Sequence, residues 1–126
     1  MIEFTVPGRP VPAVRMTQRG KFTKPQAKRY LQYKDKVGWA AKAAGIKPLR
    51  GKIKIWITVY LAGGRDGDWD NYAKSICDAL NGIAYRDDQD IIDARVIKVL
   101  GVSEAEERAE IKIWQVEGEE IHASAS

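Results

Sequence analysis

Two short stretches hold the residues best suited to chemistry. GDWDNYAKSICDAL, residues 67–80, sets Asp68 and Asp70 on either side of Trp69, with Lys74 four residues after Asp70. RDDQD follows at residues 86–90. Like charges repel, so clustered carboxylates are costly unless a cation or a solvated surface offsets them. Successive side chains of extended backbone point to opposite sides. On extended backbone Asp68 and Asp70 project together and Trp69 projects away, into the core. Asp70 suits the N-cap of a helix, where the dipole favours negative charge. Lys74, one turn on, shares its face. A short loop after that helix lets RDDQD return to the same end of the sheet, where Asp87 or Asp88 adds a third carboxylate.

Such a set suits Mg²⁺, which takes a few carboxylates and completes its shell with water and a substrate phosphate. The chemistry is in-line attack of metal-activated water on a phosphodiester, with a nearby ammonium stabilising the developing charge. Each piece also has a plainer reading: a turn with an N-cap, an i,i+4 ion pair, a solvated acidic loop.

Other chemistries fit less well. Aligning Asp66, Asp68 and Asp70 with a calcium loop puts Asn71 where glycine is needed and Cys77 where the bidentate glutamate is needed. There is no Walker A loop and no HExxH. Cys77 sits on a core-facing stripe and reads as packing; His122 reads as exposed and idle. One cysteine excludes an intrachain disulfide and fits a reducing cytoplasm. The N-terminus lacks the apolar core of a signal peptide, and no apolar run is long enough to span a membrane.

The elements that must position these residues follow from periodicity. The chain has 126 residues, 44% of them hydrophobic, enough for one domain with a real core. Residues 2–6 alternate as a strand. Residues 7–25 form a long basic loop, with a small hairpin turning at Arg19-Gly20. Residues 26–44 have helical spacing, with Tyr30, Tyr33, Val37, Ala40, Ala41 and Ala44 as the buried stripe and Gly45 as the stop. Residues 52–61 alternate strictly, with Ile53, Ile55, Ile57, Val59 and Leu61 on one face. A second helix spans 70–82, with Ala73, Ile76, Cys77 and Leu80 inward. Residues 91–100 and 110–116 read as strands, SEAEER between them as a turn or a single helical turn, and 118–126 as a frayed tail. The expected fold is α/β (α+β): one domain over 1–117, order β-α-β-α-β-β, a mixed sheet packed with two helices.

Charge is uneven. Residues 1–54 carry a balance of +12 and residues 55–126 a balance of −8. A basic half and an acidic half suit a metal-dependent enzyme acting on a polyanion; one basic helix and an acidic tail explain the numbers equally well.

The pattern D-x-D-N-x-x-K-x-x-x-D-A-L-N-G followed by D-D-Q resembles the RusA family of Holliday junction resolvases of phages and prophages. G-R-P-V-P-A-V-R…G-K-F…P resembles the opening of its phage branch, and the likeness runs over about residues 4–100. The resemblance implies a homodimeric, Mg²⁺-dependent endonuclease, with Mn²⁺ as a substitute, that makes paired nicks in four-way DNA junctions. It implies a cytoplasmic location, in a bacterial host or phage-encoded. Carried over by position, the metal ligands are Asp68, Asp70 and Asp88, and the catalytic lysine is Lys74. Asn71, Asp78 and Asp87 match motif positions as supporting residues, with Asp78 placed to orient the Lys74 ammonium. Charge and placement nominate Arg9, Arg15, Arg19, Lys21, Lys24 and Arg65 for DNA contact. A nuclease with a broader taste for forks and flaps, or a DNA-binding module without catalysis, is the alternative.

Overall fold

A computed structural model describes residues 1–15, 24–64 and 66–116. Its elements are β1 (Ile2–Pro7), α1 (Pro25–Ala43), β2 (Ile53–Leu61), α2 (Trp69–Ala79), β3 (Ile91–Leu100) and β4 (Arg108–Gln115). Short 3₁₀ turns precede β3 at Asp88–Asp90 and β4 at Glu104–Glu106. The expected order and class hold: α+β, two helices, a mixed four-stranded sheet. Among the sequence expectations, the Arg19-Gly20 hairpin, the tail, Arg19, Lys21, Arg65 and His122 lie outside the described residues.

The sheet order is β1-β4-β2-β3. β4 runs antiparallel to both β1 and β2, and β2 runs parallel to β3. A parallel neighbour needs a crossover, and α2 supplies it. The strict alternation of β2 is the spine: Ile53, Ile55, Ile57, Val59 and Leu61 are all buried. Phe4 and Val6 of β1 and Ala109, Ile111 and Ile113 of β4 extend that face. Tyr33, Val37 and Ala41 of α1 and Tyr72 and Ile76 of α2 close the core over it, joined by Leu80 just beyond α2. Each fully buried aliphatic or aromatic side chain contributes about 1.5–3 kcal/mol, so this single contiguous cluster is the main source of stability.

The helix ends differ from expectation in ways that matter for the site. α1 closes at Ala43, so Ala44 lies past the stripe and is exposed. Gly45, at φ +77, takes the left-handed turn that follows, with its N–H on the Lys42 carbonyl. α2 begins at Trp69, and Asp68 is its N-cap residue, not Asp70. The Asp68 carbonyl accepts the N–H groups of Asn71 and Tyr72, which starts the helix there. The extended backbone that would align Asp68 with Asp70 therefore stops at Asp68. Trp69 turns outward and is 62% exposed instead of buried. α2 ends at Ala79, three residues short of the predicted end.

The sheet face away from the helices carries alternating aromatic and charged side chains. Trp56 and Trp114 meet edge-on, ring centroids 4.8 Å apart, and the Arg95 guanidinium lies 4.4 Å above the Trp56 ring. Two of the four tryptophans are thus packed against each other. Trp39 and Trp69 stand in solvent.

Candidate active site

α2 carries its polar chemistry on one stripe. Asp70, Ala73, Lys74, Cys77 and Asp78 fall at i, i+3, i+4, i+7 and i+8, which is one helix face. The opposite stripe, with Tyr72 and Ile76, is fixed in the core, so the polar stripe has its direction set by packing. Ala73, Lys74, Cys77 and Asp78 line an open cavity of about 540 Å³, closed on the other side by Asp88 and Ile91. Lys74 and Asp88, fourteen positions apart in sequence, therefore border the same space.

The acidic turn is locally built. Asp87 Oδ1 accepts the Gln89 N–H at 3.1 Å, and the Asp90 N–H reaches the Asp87 carbonyl at 3.0 Å. Lys52 at 3.8 Å and Arg86 at 3.7 Å flank the Asp90 carboxylate. This leaves Asp88 to face α2. A hydrogen bond shared with Asp87, then partial burial and the negative charges of Asp78 and Asp87, push the Asp88 carboxyl up to about 6. The same hydrogen bond from Asp88 holds Asp87 below the ordinary carboxylate range. Crowded carboxylates that share a proton are where a cation is most favoured. Asp78 is held from the other side by the Tyr30 hydroxyl of α1 at 3.4 Å. Burial, with the Asp78 charge and this bond, raises that phenol to about 12. Asp78 therefore engages Tyr30 and Asp88 rather than Lys74.

The first half of the acidic set lies elsewhere. Asp68 and Asp70 stand at the N-terminal end of α2, both exposed, and the Asp68 side chain makes no capping hydrogen bond. Asp78, beside Asp88, is ten residues further along, about 15 Å at helical rise. RDDQD precedes the first residues of β3, which lie level with the start of β2, whereas α2 starts after the end of β2. The expectation that the acidic loop returns to the same end of the sheet is corrected: a helix that crosses between parallel strands delivers the chain to the opposite end. Accordingly, among the described residues no group of three His, Cys, Asp or Glu side chains is close enough to hold a metal ion. The donor chemistry nonetheless suits Mg²⁺: every candidate ligand is a carboxylate oxygen, and among the described residues the crowded Asp88 forms no salt bridge, unlike its neighbour Asp90.

Lys98 of β3 went unnoticed in the sequence. It occupies a helix-side position paired with Val59. Its ammonium reaches Asp66 Oδ2 at 2.5 Å and the Gly67 carbonyl at 3.1 Å. It pins the loop that delivers Asp68. The N-terminal strap braces the same loop. The Ala13 N–H donates to the Asn71 carbonyl at 2.9 Å, and the Gly67 N–H donates to the Tyr72 hydroxyl at 3.0 Å. A Cβ at Gly67 would sit 2.8 Å from the Pro12 ring, so the close approach requires glycine. Strap and loop enclose a cavity of about 650 Å³ whose lining includes Arg9, Pro12, Arg29 and Tyr72. Arg9 is tied to Glu107 at 2.6 Å, which makes it a clamp between strap and sheet. Arg15 and Lys24 are exposed at the borders of the strap.

Lys98→Met is expected to slow any reaction at Asp68 about 10- to 100-fold by loosening the loop. Asp66→Asn breaks the same pair from the other side and is expected to act in the same direction. Single-turnover rates check both; a loss with Lys98→Met alone would mean that the ammonium serves the substrate, not the loop.

Burial pushes the Cys77 thiol up to about 12 although it borders the cavity. A protonated thiol is a poor nucleophile, in keeping with the packing role read from its stripe. Among the described residues no helix is long and apolar enough to cross a membrane.

Compared with protein families, the chain matches the one described as Endodeoxyribonuclease RusA, over residues 7–114. Compared with curated proteins, it matches none.

Proposed function

Because the chain belongs to the RusA family of endodeoxyribonucleases, we propose that it resolves four-way DNA junctions by paired, Mg²⁺-dependent phosphodiester hydrolysis. The observation that carries this reading is the polar stripe of α2, with Asp70, Lys74 and Asp78 on one face and Asp88 across the cavity that Lys74 borders.

Asp68, Asp70 and Asp88 would hold the ion, and Mn²⁺, which favours the same oxygen donors, would substitute for Mg²⁺. When bound, the ion supplies an activated water and neutralises charge on the phosphoryl oxygens. The chain's own residues do the rest. Lys74 presents its ammonium from a rigid helix, where negative charge develops as the phosphodiester opens. Tyr30 steadies Asp78, and Lys98 steadies the loop before Asp68. The two carboxylate groups lie at opposite ends of α2 in one chain, so we take the homodimer to be the active form, each shell drawing Asp68 and Asp70 from one copy and Asp88 from the other. Two such centres suit a substrate of two-fold symmetry. The basic first half, including Arg15 and Lys24, holds the phosphate backbone, so junction affinity falls steeply with added salt.

One gel tests this. A synthetic four-way junction, a Y-fork and a linear duplex are each incubated with and without Mg²⁺. The expected result is symmetric nicks in the junction, only with the ion. Cleavage of the fork as readily as the junction would point to a broader nuclease, and junction binding without cleavage to a non-catalytic module.

A further inference from the structure

Trp69 is the first residue of α2, between Asp68 at the N-cap and Asp70 in the first turn. It is 62% exposed. Single exposed apolar side chains are common, so exposure alone assigns nothing. Its surroundings set it apart. The Trp56 and Trp114 rings meet each other, and the Lys42 ammonium lies 5.4 Å from the Trp39 ring centroid. Among the described residues no ring and no cation lies on Trp69. Trp69, Ala73 and Cys77 fall at i, i+4 and i+8, one row along the helix. Ala73 and Cys77 line the cavity between Lys74 and Asp88, so Trp69 heads the row that borders the site. Helical side chains lean toward the N-terminus of their helix, which carries the indole to the end of α2 where Asp68 and Asp70 stand. Tyr72, three residues on, is buried, so the ring is held on an anchored base.

We propose that Trp69 stacks on a base face exposed at a DNA branch point, beside the phosphate held at Asp68 and Asp70, and so makes this chain prefer branched to duplex DNA. The occupant follows from the neighbours. A phosphate brought to the carboxylate pair by the ion has a nucleoside attached on either side. Every base has a flat π-face, and an indole stacks on it whatever the sequence. Inside a continuous duplex both faces of each base are covered by the bases next to it, and nothing is left for the indole. At a branch the last pair of an arm exposes one face, and an unstacked base is what aromatic side chains take up. A second protein chain is a poorer match. It would strip water from the Asp68 and Asp70 carboxylates that flank the ring without supplying a cation. The proposal deepens the branched-DNA reading above, on which it rests, by naming the residue that senses the branch.

The experiment compares binding of the full chain to a synthetic four-way junction and to a duplex of the same length. Ca²⁺, which takes the same oxygen ligands, replaces Mg²⁺, and 2-aminopurine sits at the branch point or at the duplex centre. Trp69→Ala is expected to weaken junction binding about 5- to 150-fold, the loss of one base–aromatic stack. Duplex binding is expected to change less than about two-fold. Wild type should quench 2-aminopurine at the branch, and Trp69→Ala should leave it bright. Trp69→Phe, with a smaller ring, is expected to recover part of both effects. Trp39→Ala, on α1 and 70% exposed, is expected to change neither. The Trp69 side chain is exposed, so circular dichroism should show the fold intact. Equal losses on junction and duplex, or wild-type binding and quenching by Trp69→Ala, would overturn the proposal; junction cleavage in Mg²⁺ by the same proteins would then keep the nuclease reading standing. A Trp69→Ala protein that sediments at a different mass from wild type would overturn it too, because the indole then packs against another chain. A wild type that binds neither DNA would remove the proposal together with the branched-DNA reading. The Trp69 effect on binding without any cleavage in Mg²⁺ would leave the proposal standing and remove catalysis instead.

Discussion

Asp70→Asn is expected to lower junction cleavage on the order of 10³-fold or more while leaving junction binding intact. The substitution keeps the shape of the side chain and removes only its anionic oxygen. Asp70 is exposed in the first turn of α2, where a negative charge is worth about 0.3–1 kcal/mol against the helix dipole, so the protein remains folded. Binding to a polyanion gains slightly, because a repelling charge has gone. The ion should respond as well. A ligand that binds only the folded state raises the melting temperature by mass action, so Mg²⁺ is expected to stabilise the wild type and to stabilise Asp70→Asn much less. Asp35→Asn, an exposed carboxylate on α1, serves as the control and is expected to change neither. Wild-type cleavage by Asp70→Asn would remove Asp70 from the ligand set.

The fold was legible wherever one face of an element is buried. β2 alternates without exception, and its five inward residues form the middle of the core. α2 was legible for the same reason, through Ile76, Cys77 and Leu80. What escaped was the phase of a helix start. Asp68 and Asp70 are both good caps, and the choice between them rests on which carbonyl accepts the first helical N–H groups, which residue type does not reveal. That two-residue difference turned Trp69 from an expected core residue into an exposed one. Lys98, and the pairing of Arg9 that makes it a clamp as well as a residue nominated for DNA contact, escaped because the partners are far away in sequence: Lys98 meets Asp66 across 32 positions and Arg9 meets Glu107 across 98. The residues of the motif were legible, but their separation was not. Whether Asp88 returns to Asp68 or arrives at the far end of α2 depends on β2 and β3 being parallel neighbours, and periodicity carries no strand direction.

Lys74→Met is the second large effect, expected at about 10²–10³-fold in the rate of the chemical step. Methionine keeps most of the aliphatic stem and removes the ammonium, so packing along the α2 stripe is preserved. Asp70 stands one turn before Lys74 and Asp78 one turn after it. Asp78 is already engaged by Tyr30 and by the carboxyl of Asp88. The ammonium is thus directed into the cavity it borders with Asp88, where a phosphate would meet it. This position separates two roles. If Lys74 acts on charge that develops only as the bond opens, its loss lowers kcat and leaves KM nearly unchanged. If it merely grips the substrate phosphate, KM rises and kcat survives. The first outcome is expected. Lys74→Arg should recover part of the rate, since it restores the charge on a broader, planar group. Stabilisation by Mg²⁺ offers an independent readout: it should persist in Lys74→Met, unlike Asp70→Asn, because removing a cation from beside the carboxylates does not weaken their hold on another. A Lys74→Met protein that loses both rate and metal response would show that the lysine organises the carboxylates instead of serving the phosphate.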